Sequence, residues 1–211
     1  GKPVLFLLCL TPLLQLGWSA SNGKLSANPI DDITDATGTW TLRFLVITLS
    51  ITPLRQITGI NYLIGFRRMV GLFAFFYVCL HFTTYIWLDQ SLQFEDILKD
   101  ISKRPFITAG FTAFVLLIPL ALTSTKGWIR RLGGRRWNII HKLIYVSAIS
   151  GVIHYLWLVK ADRHRPILYG IVLAMLLGYR LIKFFKSKFS GPAPEKPPAT
   201  LETAQIEHKS L

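Results

Sequence analysis

Hydrophobic positions in this chain gather into six blocks separated by short polar stretches, over roughly 4–20, 39–54, 69–88, 105–124, 138–158 and 166–183. A helix that crosses a bilayer needs about 20 mostly apolar residues. Each block meets or approaches that length. The first, third and fourth hold no charged residue, and the second is the weakest, with Arg43 near one end and Arg55 just past the other. The pattern predicts an all-α fold, a polytopic transmembrane helical bundle of six spans, occupying 1–189. Spans two to five form its core, and the first and last pack outside. The stretch 190–211, with Ser190-Gly191-Pro192-Ala193-Pro194 and Pro197-Pro198, reads as a flexible Pro-rich tail. The first block is read as an anchor and not a cleaved leader, because its apolar run is long and Trp18-Ser19-Ala20-Ser21 makes a poor cleavage site.

Composition agrees. Of 211 residues 51% are hydrophobic and 17% charged, against about 25% charged in soluble domains. That excludes a disordered chain, a disulfide-stapled scaffold and an ordinary cytosolic enzyme. Net charge is +13, from 24 Lys and Arg against 11 Asp and Glu. The basic residues lie beside apolar blocks, so they speak for topology and anionic membrane lipid, not for nucleic acid. Segment 55–68 carries Arg55, Arg67 and Arg68. Segment 126–136 carries Lys126, Arg130, Arg131, Arg135 and Arg136. The last helix is followed by Lys183, Lys186 and Lys188. The opposite loops, 21–38, 89–104 and 159–165, hold Asp31, Asp32, Asp35, Asp89, Glu95, Asp96, Asp100 and Asp162. The positive-inside rule then puts both termini in the cytoplasm. Within 126–136, Leu132-Gly133-Gly134-Arg135 reads as a turn before a helix. Residues 92–104 space Phe94, Ile97, Leu98 and Ile101 as a short interfacial helix. Cys9 and Cys79 both sit in apolar blocks and read as unpaired packing residues. The absence of a CxxCH motif excludes covalent heme attachment.

Acids are absent from the apolar cores, but histidines are not: His81 lies in the third block, His141 and His154 in the fifth. Intramembrane ionisable residues are costly and mark function. Counting from the block starts, His81 lies about 18 Å and His154 about 24 Å along helices that run the same way. Two imidazoles at matched depth on different helices suit the iron of a heme held within a bundle. The competing reading is a pair of interhelical hydrogen-bonding residues, and residue types alone leave the two level. A ligating imidazole also needs a partner for its other ring nitrogen, a backbone carbonyl or a hydroxyl; Thr83, Thr84 and Tyr155 are near. His141 and His154 are 13 residues apart, about 220° past three full turns, so an unbroken helix points them to different sides. Gly151 is one place for a kink.

Four sequence blocks carry a resemblance: Arg67-Arg68-Met69-Val70-Gly71-Leu72 through His81-Phe82-Thr83-Thr84-Tyr85, then Arg136-Trp137-Asn138-Ile139-Ile140-His141-Lys142-Leu143-Ile144-Tyr145, then Val152-Ile153-His154-Tyr155-Leu156-Trp157, and Gly23-Lys24-Leu25-Ser26-Ala27-Asn28-Pro29. From Leu5 to Lys186 the chain resembles the MsrQ (YedZ) family. These are heme-binding membrane subunits of bacterial periplasmic methionine sulfoxide reductase systems, within the ferric-reductase-like transmembrane superfamily. The resemblance implies a b-type cytochrome of the bacterial inner membrane, with one heme b or two, and FMN. It implies an electron-transfer subunit taking electrons from the quinone pool or a cytoplasmic flavin reductase. The acceptor would be MsrP, a periplasmic molybdopterin enzyme that performs the bond-breaking step on oxidised methionine, so no catalytic residue is assigned here. It implies heme between spans three and five, with His81, His154 and His141 as iron ligands. Two-heme members carry two histidines on each of two helices. Here Arg67 stands 14 residues before His81, where a histidine is expected, and Arg67 or Arg68 is left to pair with a propionate or a flavin phosphate. Trp128 and Trp137 are placed to flank a flavin, although topology alone accounts for that basic loop. The rival classes are a heme-free small transporter or channel, which the acid-free spans disfavour, and a stand-alone reductase, which carries its own flavin domain after the last helix.

Overall fold

The computed structural model describes Gly1 to Phe189; the tail over 190–211 lies outside the described residues. The described chain is helical, without strands. Its elements are α1 (Lys2–Ser21), α2 (Pro29–Thr58), a 3₁₀ turn (Asn61–Leu63), α3 (Ile64–Thr84), a π-helical turn (Tyr85–Asp89), α4 (Phe94–Lys103), α5 (Pro105–Leu122), α6 (Lys126–His141), α7 (Leu143–Leu158) and α8 (His164–Phe189). Two compact units divide it at Gly178, within α8. The first, Gly1–Leu177, contains α1 to α7 and the first half of α8.

Among the described residues five stretches are long and apolar enough to cross a membrane: Lys2–Ser21, Asn61–Leu88, Pro105–Leu122, Lys126–Leu158 and His164–Phe189. The second apolar block is not among them. It nevertheless lies inside α2, an unbroken 30-residue helix with more buried side chains than any other described helix. Its low hydropathy has a physical reason. Thr37, Thr39, Thr41 and Thr48 are buried in it, and Thr37, Thr41 and Thr48 return their hydroxyls to carbonyls one turn back. The helix thus meets other helices through small polar residues whose hydrogen bonds are satisfied within it.

Helix ends do not follow the apolar boundaries. Stretch 29–38, read as loop, is the start of α2, opened by Pro29 in its first turn with Asp31 and Asp32 beside it, where both fit the helix dipole. Arg55 lies in α2, which ends at Gly59 with φ 73° and its N–H on the Arg55 carbonyl, a left-handed cap that glycine makes without strain. Arg67 and Arg68 lie at the start of α3. The basic stretch 126–136, expected as a loop, is helical from Lys126. It breaks once at Gly133 (φ 71°, ψ 155°), within the predicted turn. The fifth block is not one helix: α6 ends at His141 and α7 begins at Leu143. The break falls at Lys142, whose φ −71° and ψ −19° stay in the right-handed helical region, and Gly151 lies inside an unbroken α7.

Packing is organised in two helix pairs, α2 with α3 and α5 with α7, which touch each other more sparsely. The first pair buries Phe44, Leu45, Phe73, Ala74 and Tyr77. The Tyr77 hydroxyl donates to the Cys9 carbonyl at 3.0 Å and accepts from the Leu13 N–H at 3.1 Å, anchoring α1 on α3. In the second pair buried Ser147 donates to the Ala113 carbonyl at 2.9 Å. Leu42, Leu49, Ala148, Val152 and Leu173 form a further core across α2, α7 and α8. Cys9 and Cys79 are free thiols.

Candidate functional site

A cavity of about 440 Å³ opens between the two pairs, within the range of cofactor pockets. Its walls come from α2 up to Leu45, α5 up to Leu117, the C-terminal halves of α3 and α7, and from Tyr85 and Ile101. Leu42, Leu45, Val78, Phe82, Phe114 and Leu117 make it mostly apolar, while Asp31, Asp35 and Tyr85 stand toward the helix ends.

His81 and His154 line this cavity from opposite pairs, with ring centroids 6.1 Å apart and planes at 76°. Each is tied to a helix it does not belong to. His81 Nδ1 lies 2.9 Å from the Thr34 carbonyl on α2, and His154 Nδ1 lies 2.7 Å from the Phe106 carbonyl on α5. A carbonyl only accepts, so Nδ1 carries the proton and donates in both, and Nε2 keeps its lone pair. Sequence reasoning expected a carbonyl or hydroxyl partner, and carbonyls fill that role. Thr84 donates instead to the Leu80 carbonyl, Tyr155 lines the same cavity, and Thr83 is exposed. The rings also lie against two glycines that the sequence did not single out, Gly38 beside His81 and Gly110 beside His154.

The donor set fits a heme. Among the described residues no group of three or more His, Cys, Asp or Glu is placed to hold a metal. Two neutral imidazoles in an apolar cavity serve an iron whose other ligands come from a macrocycle.

His141 is not in this cavity. It closes α6, stacked on Trp137 at 3.8 Å between ring centroids. Its Nε2 lies 3.2 Å from the Thr123 hydroxyl, and the Trp137 indole donates to the Thr123 carbonyl at 2.9 Å. Arg67 is within electrostatic reach of His141, and its guanidinium lies 3.4 Å from the Thr52 hydroxyl. Arg68 is exposed. Trp128 belongs to the exposed first half of α6, with Arg131 over its ring at 5.7 Å.

Over the cavity, α4 turns Ile97 inward as a buried residue and Ile101 into the cavity wall, leaving Phe94 and Leu98 exposed. Asp100 braces this helix, accepting from the Tyr85 hydroxyl at 3.3 Å and pairing with Arg104 at 3.2 Å.

Residues 37–152 match the family model of the ferric reductase like transmembrane component. A protein-methionine-sulfoxide reductase heme-binding subunit MsrQ from Herminiimonas arsenicoxydans is 53% identical over 183 residues, 85% of this chain and 84% of the relative. Its namesake from Azospira oryzae is 50% identical over 94% of this chain and 85% of its own. That from Rhodospirillum rubrum is 47% identical over 92% and 93%. No solved structure matches significantly. With most of both helix pairs inside the matched region, and relatives at these identities covering 84% or more of each chain, the chain belongs to the MsrQ family, built on the ferric-reductase-like transmembrane component.

Proposed function

We propose that this chain is a b-type cytochrome of the bacterial inner membrane that relays electrons to a periplasmic methionine sulfoxide reductase. The observation that carries the reading is the pair His81 and His154 lining one cavity, each with Nδ1 bound to a carbonyl, which leaves Nε2 as the nitrogen with a lone pair. Relatives named as heme-binding subunits support it. Bound there, heme b supplies a one-electron carrier. The chain's own work is to hold two neutral imidazoles in fixed tautomers, to exclude water with Leu42, Leu45, Phe82 and Phe114, and to brace the outer end with α4.

Six helices cross the membrane in this reading, α1, α2, α3, α5, α7 and α8, with α2 included because its polar side chains face protein. The acidic end, with Asp31, Asp35 and α4, is periplasmic. It would face MsrP, the molybdopterin enzyme that reduces the sulfoxide. The basic end, with Arg55, Arg67, Arg68 and α6, is cytoplasmic, as are both termini, in line with the positive-inside rule. Electrons enter there, from the quinone pool or a cytoplasmic flavin reductase. Arg67 and Arg68 are the candidate partners for an FMN phosphate or a heme propionate. His141 is the candidate ligand of a second heme, and this requires its ring to leave Trp137 and Thr123.

The test is a reduced-minus-oxidised spectrum of the detergent-purified chain, followed by reconstitution with MsrP and either a quinol or a flavin reductase. The expected result is a b-type α band in the wild type, its loss in His81→Ala and His154→Ala, and MsrP reduction only through the wild type. A folded wild type without a heme band, expressed with ample heme, ends the cytochrome reading.

A further inference from the structure

The two sides of the cavity repeat one arrangement. On α2 the carbonyl of residue 34 accepts from His81, and the residue four positions on is Gly38; on α5 the carbonyl of residue 106 accepts from His154, and the residue four positions on is Gly110. Helix geometry explains the spacing. A side chain in an α-helix leans back over the turn before its own Cα, so a residue at position 38 or 110 covers the carbonyl four places earlier. Only glycine leaves that carbonyl open to a ring from outside. Each carbonyl oxygen has two lone pairs, so it accepts the imidazole N–H without giving up its helical bond.

The distances are decisive. A Cβ built on Gly38 lies 2.9 Å from His81 Cε1 and 3.0 Å from Nδ1. One built on Gly110 lies 2.7 Å from His154 Nδ1 and 3.0 Å from Cε1 and Cγ. Neither ring can stay where it is, and withdrawal breaks the Nδ1–H bond that fixes its tautomer. Gly71, on α3, is different: its nearest neighbour would be Thr48 Cγ2 at an ordinary 3.5 Å.

We infer that Gly38 and Gly110 are positioning residues, acting through His81 and His154, and that each forms with the Thr34 or Phe106 carbonyl a socket that seats one imidazole with Nε2 toward the cavity. Neither glycine touches the reacting centre. Their assignment extends the cytochrome reading, but its first test needs no heme.

That test is a double-mutant cycle on the full chain in detergent, prepared heme-free and followed by thermal unfolding. Gly38→Ala is made alone and with His81→Ala, and Gly110→Ala alone and with His154→Ala. An ordinary helical glycine gains stability on replacement by alanine, as Gly71→Ala is expected to do here. Gly38→Ala and Gly110→Ala are expected to lower the midpoint when the histidine is present and to raise it or leave it unchanged when the histidine is gone. A single variant that cannot be purified, but is recovered with its histidine removed, gives the same answer. Equal loss with and without the histidine overturns the inference, as does a single variant that loses nothing. In heme-loaded protein each single variant is expected to lower heme affinity about 10–100-fold and to shift the low-spin EPR signal of what remains. An unchanged signal at full occupancy also overturns it. A wild type without heme would end the cytochrome reading while leaving the cycle to be judged on its own result.

Discussion

His81 and His141 are the same residue type in comparable apolar settings, yet the two ends of the bundle treat them oppositely. At the acidic end His81 is backed by a glycine, held at Nδ1 by a carbonyl and turned toward a second imidazole across a cavity. At the basic end His141 is covered by the Trp137 ring and has Nε2 on the Thr123 hydroxyl. The first is arranged to receive a ligand; the second has its face and one nitrogen already engaged. A histidine's role in a membrane bundle is set by the size of its neighbours and by which nitrogen they occupy.

The sharpest way to break this comparison is to remove each histidine in turn. His81→Ala or His154→Ala should abolish the b-type band of the pair, while His141→Ala should leave that band in place. Hemochrome stoichiometry alongside the difference spectrum checks both, and complete loss in His141→Ala would erase the contrast between the ends. Next in size is Arg67→Glu, which removes a charged donor; if the proposed FMN phosphate is held there, FMN retention should weaken about tenfold or more. Fluorimetry of released flavin reads it, and the His81–His154 signal should not change. Asp100→Asn loosens the brace on α4. A partly exposed ion pair contributes at most about 1 kcal/mol, so heme transfer to an apoglobin should quicken by no more than about fivefold. Smallest is Thr123→Val, which removes the hydroxyl contact to His141. Hydrogen bonds between membrane helices average about 0.6 kcal/mol, so unfolding in mixed detergent should shift by that amount without a spectral change at the other end.

Much of the fold and the site is legible in the sequence, and the rest is hidden for definite reasons. The apolar blocks locate the helices, and matched depth brings His81 and His154 together. The turn at Gly133 announces itself through its glycines. By contrast, α2 looks weakest as a span because hydropathy scores exposure to lipid, and this helix is covered by protein. The break at Lys142 leaves no compositional mark. Thr34 and Phe106 act through backbone carbonyls, which side-chain patterns do not encode. Gly38 and Gly110 give one faint signal: a glycine inside a helix costs about 1 kcal/mol against alanine, so its presence asks for a reason. The stacking of Trp137 on His141 follows from their i,i+4 spacing and is open to inspection.

The sparse contact between the α2–α3 and α5–α7 pairs bears on how the protein is made. Each pair contributes one histidine, so a group bound to both adds a link to the cores that the two pairs already share. If heme is held as proposed, a newly inserted chain without it lacks this link and is expected to be cleared faster by membrane proteases. Steady-state abundance should follow the cell's heme supply, making delivery of the cofactor a checkpoint in biogenesis as well as a requirement for electron transfer.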